Sequence, residues 1–181
     1  MKEVILLHWT WWNADNFWFP YIKNSLNKNE FEVFIPQLPN TDNPEFQEQR
    51  DFILKNFKLD EKTILVWHSA WCPLILSILE KIDFQINKAI LVAWFCTKLW
   101  EEKEAILQDD YNWGKIKNNS KHFVFINSVN NPWWCDDKQG KFMFDKLWWD
   151  LIIREKEGHM GSNSFNQPYL EFPLLKFLIE S

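Results

Sequence analysis

The chain has 181 residues, 46% apolar and 25% charged, with a formal net charge of −5. That length and composition fit one domain with a substantial core and exclude a disordered chain. Acidic and basic residues are mixed along the sequence, which gives no nucleic-acid footprint, and the longest unbroken apolar run, residues 89–96, is far short of a membrane span.

The opening "MKEVILLH" has too short an apolar segment for a secretion signal and reads as a first strand at residues 4–7. Helical spacing follows over 16–27, which starts in Asp and Asn and sets Phe17, Ile22 and Leu26 on one side. A second strand is expected at 32–35. Residues 44–57 then form a helix that follows a Thr-Asp-Asn cap region and begins with a proline. Beyond it lie a strand at 63–66, a helix at 73–81 and a strand at 88–93. The longest connection, 101–120, carries a helix around 110–117, and a segment placed there covers a site as a lid. A strand at 122–127, a helix at 137–147, a strand at 150–154 and a helix at 169–179 complete the order.

The six strand segments are rich in β-branched residues and lack strict polar alternation, as strands buried on both faces of a parallel sheet do. Strand and helix alternate. The fold class is therefore α/β, a three-layer sandwich with a mostly parallel sheet of about six strands and helices on both faces, as one domain over 1–181. Cys72, Cys96 and Cys135 are too few and too scattered for a disulfide framework or a zinc site. A reducing cytoplasm is the default location, and no signal for an oligomeric state is evident.

Open α/β sheets place ligands beyond the carboxyl ends of their strands. Three polar groups fall there. Ser69 follows the third strand, Asn130-Asn131-Pro132 follows the fifth, and His159 in "EKEGHMGS" follows the last. The order Ser, acid position, His is that of α/β-hydrolases. "TILVWHSAWCPLIL", residues 63–76, has the strand–turn–helix outline of a nucleophile elbow, and "HWTWWNADNFWF" after the first strand occupies the place of an oxyanion-hole loop. In these roles His159 takes the Ser69 proton, Ser69 attacks a carbonyl, and backbone N–H groups of Ala70 and of Trp9 or Thr10 hold the oxyanion.

At these motifs the sequence resembles the small single-domain serine hydrolases that include retinoblastoma-binding protein 9 and its bacterial relatives. The resemblance covers nearly the whole chain, on "NADNFWFPYIKNSL", "PQLPNTDNP", "DEKTILVWHSAWCPLIL", "KAILVAWF", "DDYNW", "NSVNNPW" and "GHMGS". It implies a compact α/β-hydrolase fold and hydrolysis of a small ester or amide, without a cofactor; the composition adds the expectation of no metal and of no nucleic-acid or membrane partner.

Two departures from the family pattern stand out. The first is a surplus of 13 Trp against only 4 Gly, where average usage of about 7% would give roughly a dozen glycines. Trp9, Trp12, Trp67, Trp71 and Trp94 fall on positions resembling family glycines, and Trp11, Trp100, Trp134, Trp148 and Trp149 sit where loops or turns are expected. Trp18, Trp113 and Trp133 stand where an aromatic is natural. Exchanging those ten Trp for Gly brings both residue types near average usage. One codon, UGA, means Trp in some genetic codes and Gly in another, so a Gly-to-Trp recoding accounts for the selectivity; the alternative is a natural Trp-rich surface or an aromatic ligand site. Overpacking typically costs about 1–3 kcal/mol per site. Ten such sites exceed an ordinary stability of about 5–15 kcal/mol, so the Trp-bearing polypeptide is expected to fold poorly or to be inactive.

The second departure is "SVNNP". The acid of such folds usually stands before this proline, and here that residue is Asn131. A neutral amide lacks the charge that stabilises an imidazolium, and Asp-to-Asn exchange in a triad elsewhere has cost about 10⁴ in rate through the wrong histidine tautomer. Either Asn131 itself stands in the acid's place, or Asp136 or Asp137, a few residues on, supplies the carboxylate instead.

Other residues have plainer readings. His8 supports the oxyanion loop, His68 packs beside the nucleophile, and Cys72 is a buried small residue in the first turn of a helix. Asp109 and Asp110 read as a helix start rather than a catalytic pair. Phe17, Trp18 and Phe19 divide between core and pocket lining. The rival function is a catalytically weak binding protein on the same fold, favoured by Asn131. A nucleotide-binding reading lacks a Gly-rich phosphate loop.

Overall fold

A computed structural model describes residues 1–7, 14–41, 45–69, 72–98 and 107–181. Six strands, β1 (Lys2–Leu7), β2 (Phe31–Phe34), β3 (Ile64–His68), β4 (Lys88–Val92), β5 (Phe123–Ser128) and β6 (Asp150–Arg154), form one sheet in the order β2-β1-β3-β4-β5-β6. Every neighbouring pair is parallel. The crossover helices are α1 (Phe19–Ser25), α2 (Phe46–Asn56), α3 (Cys72–Lys81), α4 (Trp113–Asn118) and α5 (Asp137–Leu147), and α6 (Pro173–Glu180) closes the chain.

Successive side chains of a strand point to opposite faces, and here both faces are buried. Ile5, Leu7, Leu65, Trp67, Leu91 and Phe125 enter one cluster with Ile53 of α2, Leu74 of α3, Ile116 of α4 and Met143 of α5. The alternate residues Val4, Leu6, Val66, Ile90, Val124 and Ile126 enter a second with Ile22 of α1 and Leu175 of α6. A central strand that must satisfy two cores has no polar face to show, which is why the sequence runs look continuous.

From β1 the chain turns toward β2, and from β3 toward β4. The carboxyl ends of β1 and β3 therefore flank the point where strand order reverses, the usual ligand crevice of an open α/β sheet. Residues 8–13, which follow β1, lie outside the described residues.

Several boundaries differ from expectation for local reasons. Phe17 takes φ +49°, so the first helix opens only at Phe19, with Pro20 in its first turn. Tyr169 is also left-handed and Pro173 starts α6, which shortens the final helix from its amino end. Asn112, not Asp109 or Asp110, caps α4, its side chain accepting the N–H of Lys115. That helix packs on α3 and α5 as the β4–β5 crossover. β3 runs two residues further than expected, so Trp67 is a fully buried strand residue paired with Leu7 and Leu91.

Candidate active site

Ser69 is the first residue past β3 and has φ +69°, a region costly for a side chain larger than glycine's. Such strain persists only where the surroundings impose it, commonly at functional turns. Here the turn joins a buried strand to α3, and Ser69 is only 1% exposed. Its Oγ lies 2.7 Å from His159 Nε2. A serine hydroxyl so placed can pass its proton to a neutral imidazole and become a nucleophile.

His159 comes from the loop after β6, and its backbone is held on both sides of the ring. Its N–H donates to Gln167 Oε1 at 2.9 Å, and its carbonyl lies 2.7 Å from His68 Nε2. Because that carbonyl can only accept, His68 carries its proton on Nε2. The flanking residues are tied too. Gly158 N–H donates to Asn130 Oδ1, and the Trp18 indole N–H donates to the carbonyl of Met160. An isolated antiparallel bridge between Ser162 and Gln167 shapes the far side of the loop.

The third group comes from the turn after β5. Asn131 is 7% exposed, and its Oδ1 lies 3.2 Å from His159 Nδ1. The same oxygen accepts the backbone N–H of Trp133. Ser69, His159 and Asn131 thus form one continuous chain of contacts, drawn from the ends of β3, β6 and β5.

Burial sets the electrostatics. It holds the His159 imidazole well below its ordinary range, with the nearby His68 ring adding to the same direction. His68 is lowered to about 4 by burial, partly opposed by its bond to the His159 carbonyl. Both rings are therefore neutral at pH 7, the state a proton acceptor needs.

Against known proteins, the profile of the family described as Serine hydrolase matches residues 5–175. The chain belongs to the serine hydrolase family. YdeN of Bacillus subtilis (strain 168) is 31% identical to it over 150 residues, covering 80% of this chain and 76% of that one. The rat serine hydrolase RBBP9 (Rattus norvegicus) is 23% identical over 160 residues, covering 85% and 83%. Among solved structures, the ydeN gene product of B. subtilis superimposes with a TM-score of 0.88 at 24% identity, over 99% of this chain and 97% of that one. The esterase EaEST from Exiguobacterium antarcticum gives a TM-score of 0.69 at 13% identity, over 100% and 92%. At these identities the structural likenesses speak for the fold.

Within this serine hydrolase, the sequence-derived residues fall into three groups. Ser69, His159 and Asn131 meet. Asp136 does something else: as the N-cap of α5 its carboxylate accepts the N–H groups of Lys138 and Gln139, and Asp137 opens that helix. Ala70, Thr10 and Trp9, expected at the oxyanion hole, lie outside the described residues, as does His8. Sequence reasoning misses Gln167 and the roles of three residues it names: His68 as a donor to the His159 backbone, Asn130 as the acceptor of the Gly158 N–H, and Trp18 as a donor to the Met160 carbonyl. Of these, only the Asn pair before Pro132 carries a local signal, since Asn side chains commonly close turns onto nearby backbone.

Proposed function

We propose that this serine hydrolase cleaves a small ester or amide through an acyl-enzyme at Ser69, with His159 as general base and then general acid and with Asn131 orienting the ring. The observation that carries this is the 2.7 Å contact between Ser69 Oγ and His159 Nε2. His159 takes the hydroxyl proton as Oγ bonds to the substrate carbonyl carbon. The carbonyl oxygen gains the electron pair and is held by the backbone N–H of Ala70 and another from Trp9 or Thr10, each donor worth roughly 3–4 kcal/mol in comparable sites. The imidazolium gives its proton to the leaving alcohol or amine. Water, deprotonated by the same ring, then releases the acid and restores Ser69.

The substrate is a small molecule and the enzyme acts as a single domain in the cytoplasm. Among the described residues no helix is long and apolar enough to cross a membrane. Stopped-flow hydrolysis of a p-nitrophenyl ester tests the mechanism. A burst of nitrophenolate equal to the enzyme concentration, absent in Ser69→Ala, is expected; steady release without a burst, unchanged in that variant, contradicts it. The neutrality of Asn131 favours one other reading, a catalytically weak binding protein on the same fold, for which Ser69→Ala leaves ligand affinity intact and no turnover is seen.

In the biological enzyme, ten positions written as Trp are read as Gly. Trp134 and Trp148 support this with φ +56° and +58°, the region glycine enters without cost. Trp148 occupies the left-handed position that ends α5, the place where helices most often use Gly. Trp67 and Trp94 are fully buried, and their indole N–H groups have no partner among the described residues. A buried unsatisfied donor costs about 1–3 kcal/mol. Trp149 is half-buried with the same deficit. Trp9, Trp11, Trp12, Trp71 and Trp100 lie outside the described residues. The coding DNA tests the reading: UGA codons at the ten positions are expected, and UGG codons contradict it.

A further inference from the structure

An asparagine in the place of a triad acid raises one question of chemistry, namely which end of its amide faces the histidine. With the NH₂ group toward Nδ1, the ring must carry its proton on Nε2 and cannot accept one from the serine. With the oxygen toward Nδ1, the ring carries its proton on Nδ1 and offers a lone pair at Nε2.

The turn after β5 decides this. Asn131 Oδ1 accepts the backbone N–H of Trp133 at 3.0 Å, an Asx turn closed across Pro132. The turn is reinforced by backbone bonds from Asn131 N–H to Ser128 O and from Trp134 N–H to Asn131 O. A backbone N–H only donates, so the atom facing it is the oxygen. That oxygen also stands 3.2 Å from His159 Nδ1, and Nδ2 points away, buried and without a partner among the described residues. Rotating the amide by half a turn sets NH₂ against the Trp133 N–H, donor facing donor, and the Asx bond is lost.

We infer that the Trp133 backbone N–H is a tautomer lock: by holding the Asn131 amide oxygen toward His159 Nδ1, it keeps the proton there and leaves Nε2 free to accept from Ser69. This rests on the reading of Ser69 and His159 as the hydrolytic pair. Losing the part-buried Asx bond biases against the rotated amide by roughly 2- to 13-fold. Asn131 is thus a positioning residue that supplies orientation without charge. What the site lacks relative to a carboxylate is stabilisation of the imidazolium, not the correct tautomer.

Two-dimensional ¹H–¹⁵N spectra of the native chain, with the His159 signals assigned by their loss in His159→Gln, test the lock directly. The expected result at neutral pH is a protonated Nδ1 and an unprotonated Nε2, with the same pattern in Asn131→Asp. A native His159 protonated on Nε2 overturns it. Kinetics of Asn131→Asp give a second readout. Adding the charge is expected to raise the His159 pKa by roughly 1–3 units and to raise kcat while leaving KM unchanged. A gain of about 10⁴, the size of a tautomer correction, overturns the lock. Phosphonylation of Ser69 is scored separately. Its absence alongside an Nδ1–H ring removes the hydrolytic reading and leaves the lock, whereas its presence alongside an Nε2–H ring does the reverse.

Discussion

His68 Nε2 lies 2.7 Å from the carbonyl oxygen of His159, so the residue just before Ser69 donates to the backbone of the residue whose ring reaches Ser69. The two rings lie 5.0 Å apart, centroid to centroid, and both are buried. One strand end therefore presents the hydroxyl and also holds its partner loop. Protonating either histidine places a charge where water cannot reach it.

Stability is expected to fall with acid. The unfolded chain takes up a proton on His68 near pH 6.5, whereas the folded one resists until about 4. Between those values the unfolded state binds more protons, so folding is at full strength above pH 6.5 and weakens as pH falls toward 4. The loss from His68 is about 3 kcal/mol, and His159 adds in the same direction. Urea unfolding at pH 7 and pH 4.5 measures it. A His68→Gln variant is expected to be less stable at pH 7 and to show a flatter pH dependence.

Activity is expected to outlast the ordinary histidine range. His159 must be neutral to accept the Ser69 proton, and burial lowers its pKa well below 6.5. The acid limb of kcat/KM therefore lies below pH 6.5, with activity near its plateau at pH 6.5 itself. A midpoint above 6.5 would show that a charge other than those now facing His159 stabilises its imidazolium.

Much of this was legible in the sequence, and the reasons are physical. The β6 and α5 boundaries were read correctly because the strand is bounded by a turn and the helix by the Asp136 cap. The Ser69–His159–Asn131 set was legible because a parallel sheet brings the carboxyl ends of its strands to one rim. The lost helix turns at 16–18 and 169–172 were not legible, since left-handed Phe17 and Tyr169 obey tertiary packing rather than propensity. Gln167 was invisible for a related reason. Its side-chain oxygen accepts the N–H of His159 eight residues away, from a place set by its backbone bridge to Ser162, and neither contact has a sequence period.

Gly158→Ala is expected to damage the site from outside it. Gly158 has φ +55°, and a Cβ there would stand 1.9 Å from Gln167 Nε2, the amide whose oxygen holds the His159 N–H. The methyl must expel that side chain while straining its own backbone, at a cost of about 1–3 kcal/mol. A fall in kcat of roughly tenfold or more, with a lowered urea midpoint, is the expected outcome. Gln167→Ala should lose part of the activity with less loss of stability, because the backbone strain is absent.

Trp148→Gly is expected to stabilise the chain as written. The residue is 71% exposed, so little packing is lost, and its left-handed conformation costs about 1 kcal/mol that glycine avoids. Trp134→Gly should act in the same direction, less cleanly because it adjoins the Asn131 turn. Urea midpoints of the two variants measure the gain. A loss in both would mean that these indoles contribute more by contact than their backbone costs.

The most direct measurement is labelling with a fluorophosphonate followed by peptide mass spectrometry, on folded chain with Gly at the ten Trp positions read as Gly. Phosphonylation confined to Ser69, lost in Ser69→Ala and reduced by roughly 10³-fold or more in rate in His159→Gln, is the expected result. A folded chain that takes up no label, or one whose labelling survives Ser69→Ala, contradicts Ser69 as the nucleophile.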